Sequence, residues 1–137
     1  MFETILVAID HSDHSKHALS AAKDLAKAAK SQVRVVHVRE MSIGKPGPVP
    51  KEFSDEANAL VDEAVKDFTA DGIGASGTVR NSHTGRVAAE IIGEADEAGA
   101  SVIVLGSRGL TDLEGLVMGS TTHKVLHLGT IPVLVVR

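Results

Sequence analysis

The chain has 137 residues, of which 43% are apolar and 23% charged, with a net charge of −4 and no cysteine. This composition is typical of a globular protein and argues against disorder, collagen and coiled coil. Two separate cores would each have fewer than about 70 residues and would need staples such as disulfides, so we predict one domain over residues 1–137. An acidic chain without a Lys/Arg block, and with no Tyr or Trp, also predicts no nucleic-acid partner.

The apolar segments are too short for a membrane protein. None approaches the roughly 18 to 20 residues that cross a bilayer. The first residues, Met-Phe-Glu-Thr, lack the basic segment and the apolar core of a signal peptide. We therefore expect no membrane partner and a cytoplasmic location.

Strand-like and helix-like segments alternate along the chain. The first, Thr4–Ile9, is an apolar, β-branched run that predicts a strand buried on both faces, and Ser12 or Asp13 can cap the helix after it. Residues 42–50 contain two Gly and three Pro and predict a long, stiff loop over one rim of the sheet. In chain order the predicted elements are strand 4–9, a helix with its apolar stripe over 18–29, strand 33–38, loop 42–50, helix 54–70, a weaker strand 75–81, helix 86–98, strand 101–105, a short helix 121–128 ending at Gly129, and strand 131–136.

This alternation predicts an α/β, Rossmann-like fold, with one doubly wound parallel sheet of five strands and helices on both faces. Alternation alone permits the strand order 3-2-1-4-5 and the flavodoxin-like order 2-1-3-4-5, and we adopt the first. Ligands in such folds bind beyond the carboxyl ends of the strands, where the winding reverses. In the order 3-2-1-4-5 that point lies between strands one and four, so the residues that follow these strands are candidates for a binding site.

An unusual segment connects the fourth predicted strand to the last helix. Glycines at both ends of this connection leave no Cβ in the way of a phosphate. The helix that follows favours an anion through its unpaired N–H groups and its dipole, and hydroxyls and one Arg add donors and positive charge. Turn glycines with a capping hydroxyl are the alternative interpretation. We predict an anion site formed by Gly106, Arg108, Gly109, Gly119, Ser120, Thr121 and Thr122.

Asp10 follows the first predicted strand and is the second candidate. Its carboxylate can accept hydrogen bonds from ribose hydroxyls or help to hold Mg²⁺, whereas the alternative is a turn or capping aspartate for the first helix. Because strands one and four are neighbours in the adopted order, Asp10 and the glycine segment meet at one edge of the sheet. We predict an adenosine near Asp10 and residues 36–38, with its phosphates over residues 106–121.

These residues resemble the universal stress protein family, specifically its ATP-binding members. The family signature is G-x2-G-x9-G-[ST], which the glycine segment matches from Gly106 to Ser120 without a gap. The resemblance extends to the opening ILVAID, the dipeptide His37-Val38 and the ending Pro132–Val136. The contacts to ATP that it implies are Ala8, Ile9, Asp10, Val38, Gly106, Gly109, Gly119, Ser120 and Thr121, to which we add Arg108 and Thr122.

The resemblance also implies what the protein does with the nucleotide. It implies a regulatory protein of the stress response that binds ATP with Mg²⁺. The residues themselves predict the metal near Asp10 and at most slow turnover. No G-x4-G-K-[ST] segment is present and no residue must serve as a general base, so we assign no catalytic residue. The alternative function is a nucleotide-independent dimeric scaffold or interaction protein of the same fold. We do not expect a phosphorylation-switched receiver domain, which would need an Asp after the third strand and a Lys after the fifth. The third strand ends in Asn81-Ser82-His83 and the fifth at Arg137.

The last predicted strand points to self-association. It is apolar at four successive positions, residues 133–136, although it should lie at the sheet edge, and such an edge tends to pair with another chain. Two-fold pairing with its own copy closes the assembly. The family resemblance implies the same homodimer, paired through Pro132–Val136.

The seven histidines are the remaining candidates for chemistry. His11, His14 and His17 are spaced by three. His123 and His127 are spaced by four, as in H-E-x-x-H, but Lys124 replaces the Glu and no third ligand is evident. We expect solvated or capping histidines in both sets rather than a metal site. One of them departs from the family pattern. Many members have Asp-Gly-Ser where this chain has Asp10-His11-Ser12, so His11 places a side chain where Gly leaves room.

Overall fold

The computed structural model describes residues 2–44, 47–50, 52–109 and 118–137, and of residues 43, 44 and 47–50 only the backbone. Strands and helices alternate over these ranges, apart from one added short strand. The elements are β1 (Thr4–Ala8), α1 (Asp13–Ala29), β2 (Gln32–Gly44), β3 (Gly47–Pro50), α2 (Ser54–Ala70), β4 (Ala75–His83), α3 (Val87–Ala98), β5 (Val102–Gly106), α4 (Ser120–Leu128) and β6 (Val133–Val136).

Five of the strands form a parallel sheet in the order β4-β2-β1-β5-β6. Numbered among themselves, these strands have the order 3-2-1-4-5, so the predicted order is confirmed and the flavodoxin-like alternative is not the one observed. The winding of the sheet reverses between β1 and β5, as the order requires.

Each face of the sheet packs against two helices. Ile5 and Val7 of β1 belong to a cluster with buried residues of α1 and α2, whereas Leu6 and Ala8 belong to a second cluster with buried residues of α3 and α4. Side chains of a strand alternate between the two faces. This double burial explains why Thr4–Ile9 is continuously apolar rather than alternating.

The prediction of a loop over residues 42–50 is wrong. The strand β2 continues to Gly44, and β3 pairs with it in antiparallel fashion, with Met41 opposite Pro50 and Gly44 opposite Gly47. The prolines argued for a loop because proline cannot donate to a strand ladder, but an edge strand has an unpaired side on which that loss costs nothing. The short strand β3 is such an edge, since its only partner within the described residues is β2.

The second and third parallel strands extend beyond their predicted ends. They pair with each other from Val33 opposite Ala75 to Met41 opposite His83, so backbone hydrogen bonding extends both strands past their apolar residues. Both strands therefore continue past the carboxyl end of β1, which pairs with β2 only as far as Val36. None of the helices in the described ranges is sufficiently long and apolar to span a lipid bilayer.

Candidate functional site

The carboxyl ends of β1, β2 and β5 border a cavity of about 470 Å³. It lies where the winding reverses between β1 and β5, the position at which open α/β sheets bind ligands. The first turns of α3 and α4 form further walls. The predicted site residues that line this cavity are Ala8, Ile9, Asp10, Val38, Gly106, Arg108, Gly109, Ser120, Thr121 and Thr122.

Gly119 is the predicted site residue that does not line the cavity. It is the N-cap of α4 with a φ of −72°, and its N–H donates to the carbonyl of Ser107. That amide therefore joins α4 to the end of β5. Most of the nine-residue spacing in the signature, residues 110–117, lies outside the described residues.

The first turn of α4 borders the cavity through Ser120 and Thr121. Its N-cap glycine supplies no side-chain hydrogen bond, and the first N–H groups of any α-helix have no partner within the helix. The positive end of the helix dipole also lies here. This edge of the cavity is therefore suited to an anionic group.

Gly106 has a packing role that the sequence did not reveal. A Cβ at this position would lie 2.7 Å from the Cβ of His14 and 3.1 Å from the carbonyl oxygen of His14. The carbonyl of Gly106 accepts a hydrogen bond of 2.7 Å from the hydroxyl of Thr122, which is itself buried. Gly106 thus lets β5 approach α1, and Thr122 fastens α4 to the same strand end.

Asp10 organises the turn between β1 and α1. Its Oδ1 accepts hydrogen bonds from the backbone N–H of Ser12 at 2.8 Å and from the hydroxyl of Ser15 at 2.9 Å. Its own N–H donates to the same hydroxyl at 2.7 Å. Ser12 is the N-cap of α1, so Asp10 supports the cap as well as lining the cavity. The turn role and the cavity position therefore coexist in one side chain.

Charge is divided between the two ends of the cavity. Arg108 and Lys124 line it beside β5 and α4, whereas Asp10, Glu40 and Glu52 line it beside β1 and β2. This distribution of charge favours an elongated ligand whose anionic end lies toward α4. Sequence reasoning missed Lys124 as a cavity residue, although its place one turn after Ser120 on a helix was a usable signal.

A cluster of two histidines and one glutamate stands at the acidic end; we call it the His–Glu cluster. His11 Nε2 and Glu52 Oε2 are 2.9 Å apart, and His37 Nε2 contacts Glu52 Oε1. The other ring nitrogen of His37, Nδ1, lies 2.8 Å from the carbonyl oxygen of Ile9. The carbonyl of Glu52 accepts a hydrogen bond of 3.1 Å from Arg39 Nε, which holds the residue against β2.

Burial of the Glu52 carboxyl acts to raise its pKa, but the hydrogen bonds and charges of His11 and His37 outweigh it. The net effect is a pKa of Glu52 below the ordinary value. The carboxylate is therefore ionised at neutral pH and is the acceptor for both imidazoles.

The other histidines have separate surroundings. His17 Nδ1 lies 3.1 Å from the carbonyl oxygen of Arg137, and the rings of His123 and His127 stack with centroids 6.1 Å apart. His11 does not cap α1, since Ser12 does so. The meeting of His11 and His37 could not be predicted from the sequence, because Glu52, which joins them, is 41 and 15 residues away along the chain.

A sequence profile of the Universal stress protein family matches residues 1–137. The chain belongs to the universal stress protein family. It is 36% identical over 151 aligned residues to universal stress protein YxiE of Bacillus subtilis, with 100% of each chain covered.

Solved structures share the fold of this universal stress protein. A family member from Burkholderia pseudomallei aligns with a TM-score of 0.78 at 29% identity, over 98% of this chain and 95% of that one. The universal stress protein of Archaeoglobus fulgidus, solved in complex with dAMP, aligns with a TM-score of 0.75 at 24% identity, over 99% of this chain and 98% of that one.

Proposed function

We propose that this universal stress protein is an ATP-binding member of its family and that it holds ATP in the cavity between β1, β2, β5 and α4. Residues 1–137 act as one cytoplasmic domain in this proposal, paired as a homodimer through Pro132–Val136. The observation that carries it is the meeting of three signature residues, Gly106, Gly109 and Ser120, with Asp10 and Val38 around one cavity. Its volume of about 470 Å³ lies within the range of about 300–1,000 Å³ for small-molecule sites.

The adenosine belongs at the end of the cavity beside β1 and β2. Ala8, Ile9 and Val38 supply apolar surface there, and Ala88 and Ile91 of α3 also line the cavity. A base is held by such apolar walls, while the Asp10 carboxylate accepts from ribose hydroxyls. The turn at Asp10 is fixed by its hydrogen bonds to Ser12 and Ser15, so little ordering is needed on binding.

The phosphates belong at the α4 end. Gly109 brings backbone without a Cβ to the cavity, and Ser120 and Thr121 bring the first turn of α4. Arg108 and Lys124 add positive charge at the same end. Unpaired N–H groups and the helix dipole favour an anion at this position. The dAMP complex of the Archaeoglobus relative supports an adenine nucleotide as the ligand.

Mg²⁺ accompanies the triphosphate in this proposal. Carboxylate oxygen is a ligand that Mg²⁺ prefers, usually one or two carboxylates with phosphate oxygens and waters. The Asp10 carboxylate lines the cavity and is of that kind. Because the chain has no G-x4-G-K-[ST] segment, we propose that nucleotide occupancy is a regulatory signal, with at most slow turnover.

Calorimetric titration tests this function directly. We expect ATP with Mg²⁺ to bind at one site per chain and UTP with Mg²⁺ to bind at least about tenfold more weakly, a difference of about 1.4 kcal/mol. Absence of heat with ATP from folded protein would contradict the proposal and favour the nucleotide-independent scaffold. Turnover near the enzyme median of about 10 s⁻¹ would contradict the regulatory role.

A further inference from the structure

We propose that the His–Glu cluster binds a divalent transition-metal ion of the Zn²⁺ type, with one coordination position open to the cavity. His11 comes from the turn after β1, His37 from β2 and Glu52 from the segment before α2. The three side chains thus converge from three parts of the chain. All three line the cavity.

The separations of the donor atoms suit such an ion. The two imidazole nitrogens and the carboxylate oxygen all lie within 4.8 Å of one another. Bonds to Zn²⁺ of about 2.0–2.2 Å in a tetrahedron place ligand atoms roughly 3.4 Å apart. The 2.9 Å between His11 Nε2 and Glu52 Oε2 falls below this value. An ion bound between these two atoms therefore requires them to move apart by roughly 0.5 Å.

His37 is already oriented as a metal ligand. Its Nδ1 lies 2.8 Å from the carbonyl oxygen of Ile9, and a carbonyl is only an acceptor, so this nitrogen carries the proton. With a metal bound, Nε2 is therefore the nitrogen that offers the lone pair, and Nε2 is the atom that faces Glu52. Histidines that bind metals usually donate their other N–H to a group such as a backbone carbonyl, which fixes the ring orientation. The side chain is only 5% exposed, which fixes the ring in this orientation.

The charges of the cluster favour a cation. The Glu52 carboxylate lies between the two imidazoles, with one oxygen toward each ring. A divalent ion bound here has two imidazole nitrogens and one carboxylate oxygen as ligands, and the single negative charge of the carboxylate partly balances it. Imidazole selects Zn²⁺ and related ions over Mg²⁺, which prefers oxygen.

The fourth position faces the cavity. Two histidines and one glutamate form the three-ligand set of zinc sites that keep an open position for water or another oxygen. His11 is 39% exposed and Glu52 15% exposed, so an ion can enter from the cavity side. The site stands on its three side chains and does not depend on the proposed ATP binding.

Titration of the nucleotide-free protein with Zn²⁺ alone tests the site. We expect one tightly bound Zn²⁺ per chain by calorimetry and equilibrium dialysis. His11→Gln and Glu52→Gln should each weaken Zn²⁺ affinity by roughly 100-fold or more. Loss of a residue that only hydrogen-bonds to a ligand costs about 10–100-fold, and loss of a ligand itself should cost at least as much. Circular dichroism checks that both variants remain folded, and neither requires change at the buried His37.

His127→Gln is the matched control, because it removes one histidine from the i, i+4 pair on α4. We expect it to bind Zn²⁺ as wild type does, and Co²⁺ in place of Zn²⁺ to give a tetrahedral visible spectrum that His11→Gln loses. Failure of the folded wild-type chain to bind stoichiometric Zn²⁺ overturns the site. Equal weakening in His127→Gln and His11→Gln does so as well.

Discussion

The hydroxyl of Ser15 lies 2.9 Å from Oδ1 of Asp10 and 2.7 Å from the backbone nitrogen of the same residue. One serine on the first turn of α1 therefore closes the turn at the end of β1 through both a side chain and a backbone group. This pairing fixes the carboxylate at the cavity edge. It gives Asp10 a structural role that is separable from any role toward a ligand.

Substitutions at Asp10 separate the two roles. Asp10→Asn keeps an oxygen that accepts from Ser12 and Ser15, so we expect the free energy of unfolding to fall by less than about 1 kcal/mol. Asp10→Ala removes that acceptor and should cost about 1–2 kcal/mol. If the carboxylate also accepts from ribose or holds Mg²⁺, Asp10→Asn should still weaken ATP binding by about tenfold or more.

Urea unfolding and calorimetry on the same samples measure both quantities for the two variants. Unchanged ATP affinity in Asp10→Asn would restrict Asp10 to the turn. A large loss of stability in Asp10→Asn would show that the charge, rather than the acceptor oxygen, maintains the turn.

Gly106 is expected to be needed for stability. The Cβ of Gly106→Ala would lie 2.7 Å from the Cβ of His14, with the His14 backbone at 3.1 Å, so α1 and β5 must separate. Such overpacking costs about 1–3 kcal/mol, measurable by urea unfolding. Gly74→Ala is the matched control, since its Cβ would meet only the Gln32 side chain at 3.8 Å. Equal stability of the two variants would contradict the packing role.

The proposed homodimer can be tested at Leu134. β6 pairs with β5 at one edge of the described sheet, and Leu134 is 40% exposed on it. We expect the wild-type chain of 14.3 kDa to sediment as a dimer at micromolar concentration and Leu134→Lys to shift it to monomer. Leu128→Lys, at a 62% exposed position on α4, should remain a dimer. A monomeric wild type would contradict pairing through Pro132–Val136.

Acid should weaken a contact between α1 and the end of α2. The hydrogen bond from Lys27 and the charges of Lys23 and Lys27 hold the pKa of Asp71 below its ordinary value. The pKa of Asp71 is lower in the folded state than in the unfolded state. Its contacts with Lys23 and Lys27 therefore stabilise the fold above the unfolded pKa of about 3.9, and this stabilisation is lost as the pH falls through the folded pKa.

We therefore expect Asp71→Asn to be less stable than wild type at about pH 7 and equal to it at about pH 2. Asp62→Asn, at an exposed position on the same helix, serves as the control for loss of one carboxylate. Urea unfolding at both pH values measures the differences. A deficit of Asp71→Asn that persists at low pH would contradict the ion-pair origin.

Much of the fold could be predicted because burial on both faces leaves a plain signal. Thr4–Ile9 is continuously apolar since its side chains enter both clusters, and helix 54–70 was predicted with its observed bounds. β4 gave a weaker signal because it is an edge strand with many exposed side chains. Its Gly77 is required by packing, since a Cβ there would lie 2.3 Å from Val61.

The candidate site was only partly predictable. The glycine segment and Asp10 follow strand ends, and strand ends meet at one edge of a parallel sheet, so their approach could be expected. The His–Glu cluster could not, because Glu52 follows the prolines that were interpreted as a loop. That segment instead forms β3 against β2, and the antiparallel return delivers Glu52 to His37.

In the proposed function the backbone at Gly109 cradles the phosphates of ATP, and titration of a Gly109 variant measures the effect of blocking that approach. We expect ATP with Mg²⁺ to bind wild type and not to bind folded Gly109→Val, because the added side chain would block the approach of the backbone. Gly74→Val, which also replaces a glycine but outside the cavity lining, should bind as wild type does. Equal ATP affinity in Gly109→Val and wild type would contradict a phosphate contact at this backbone.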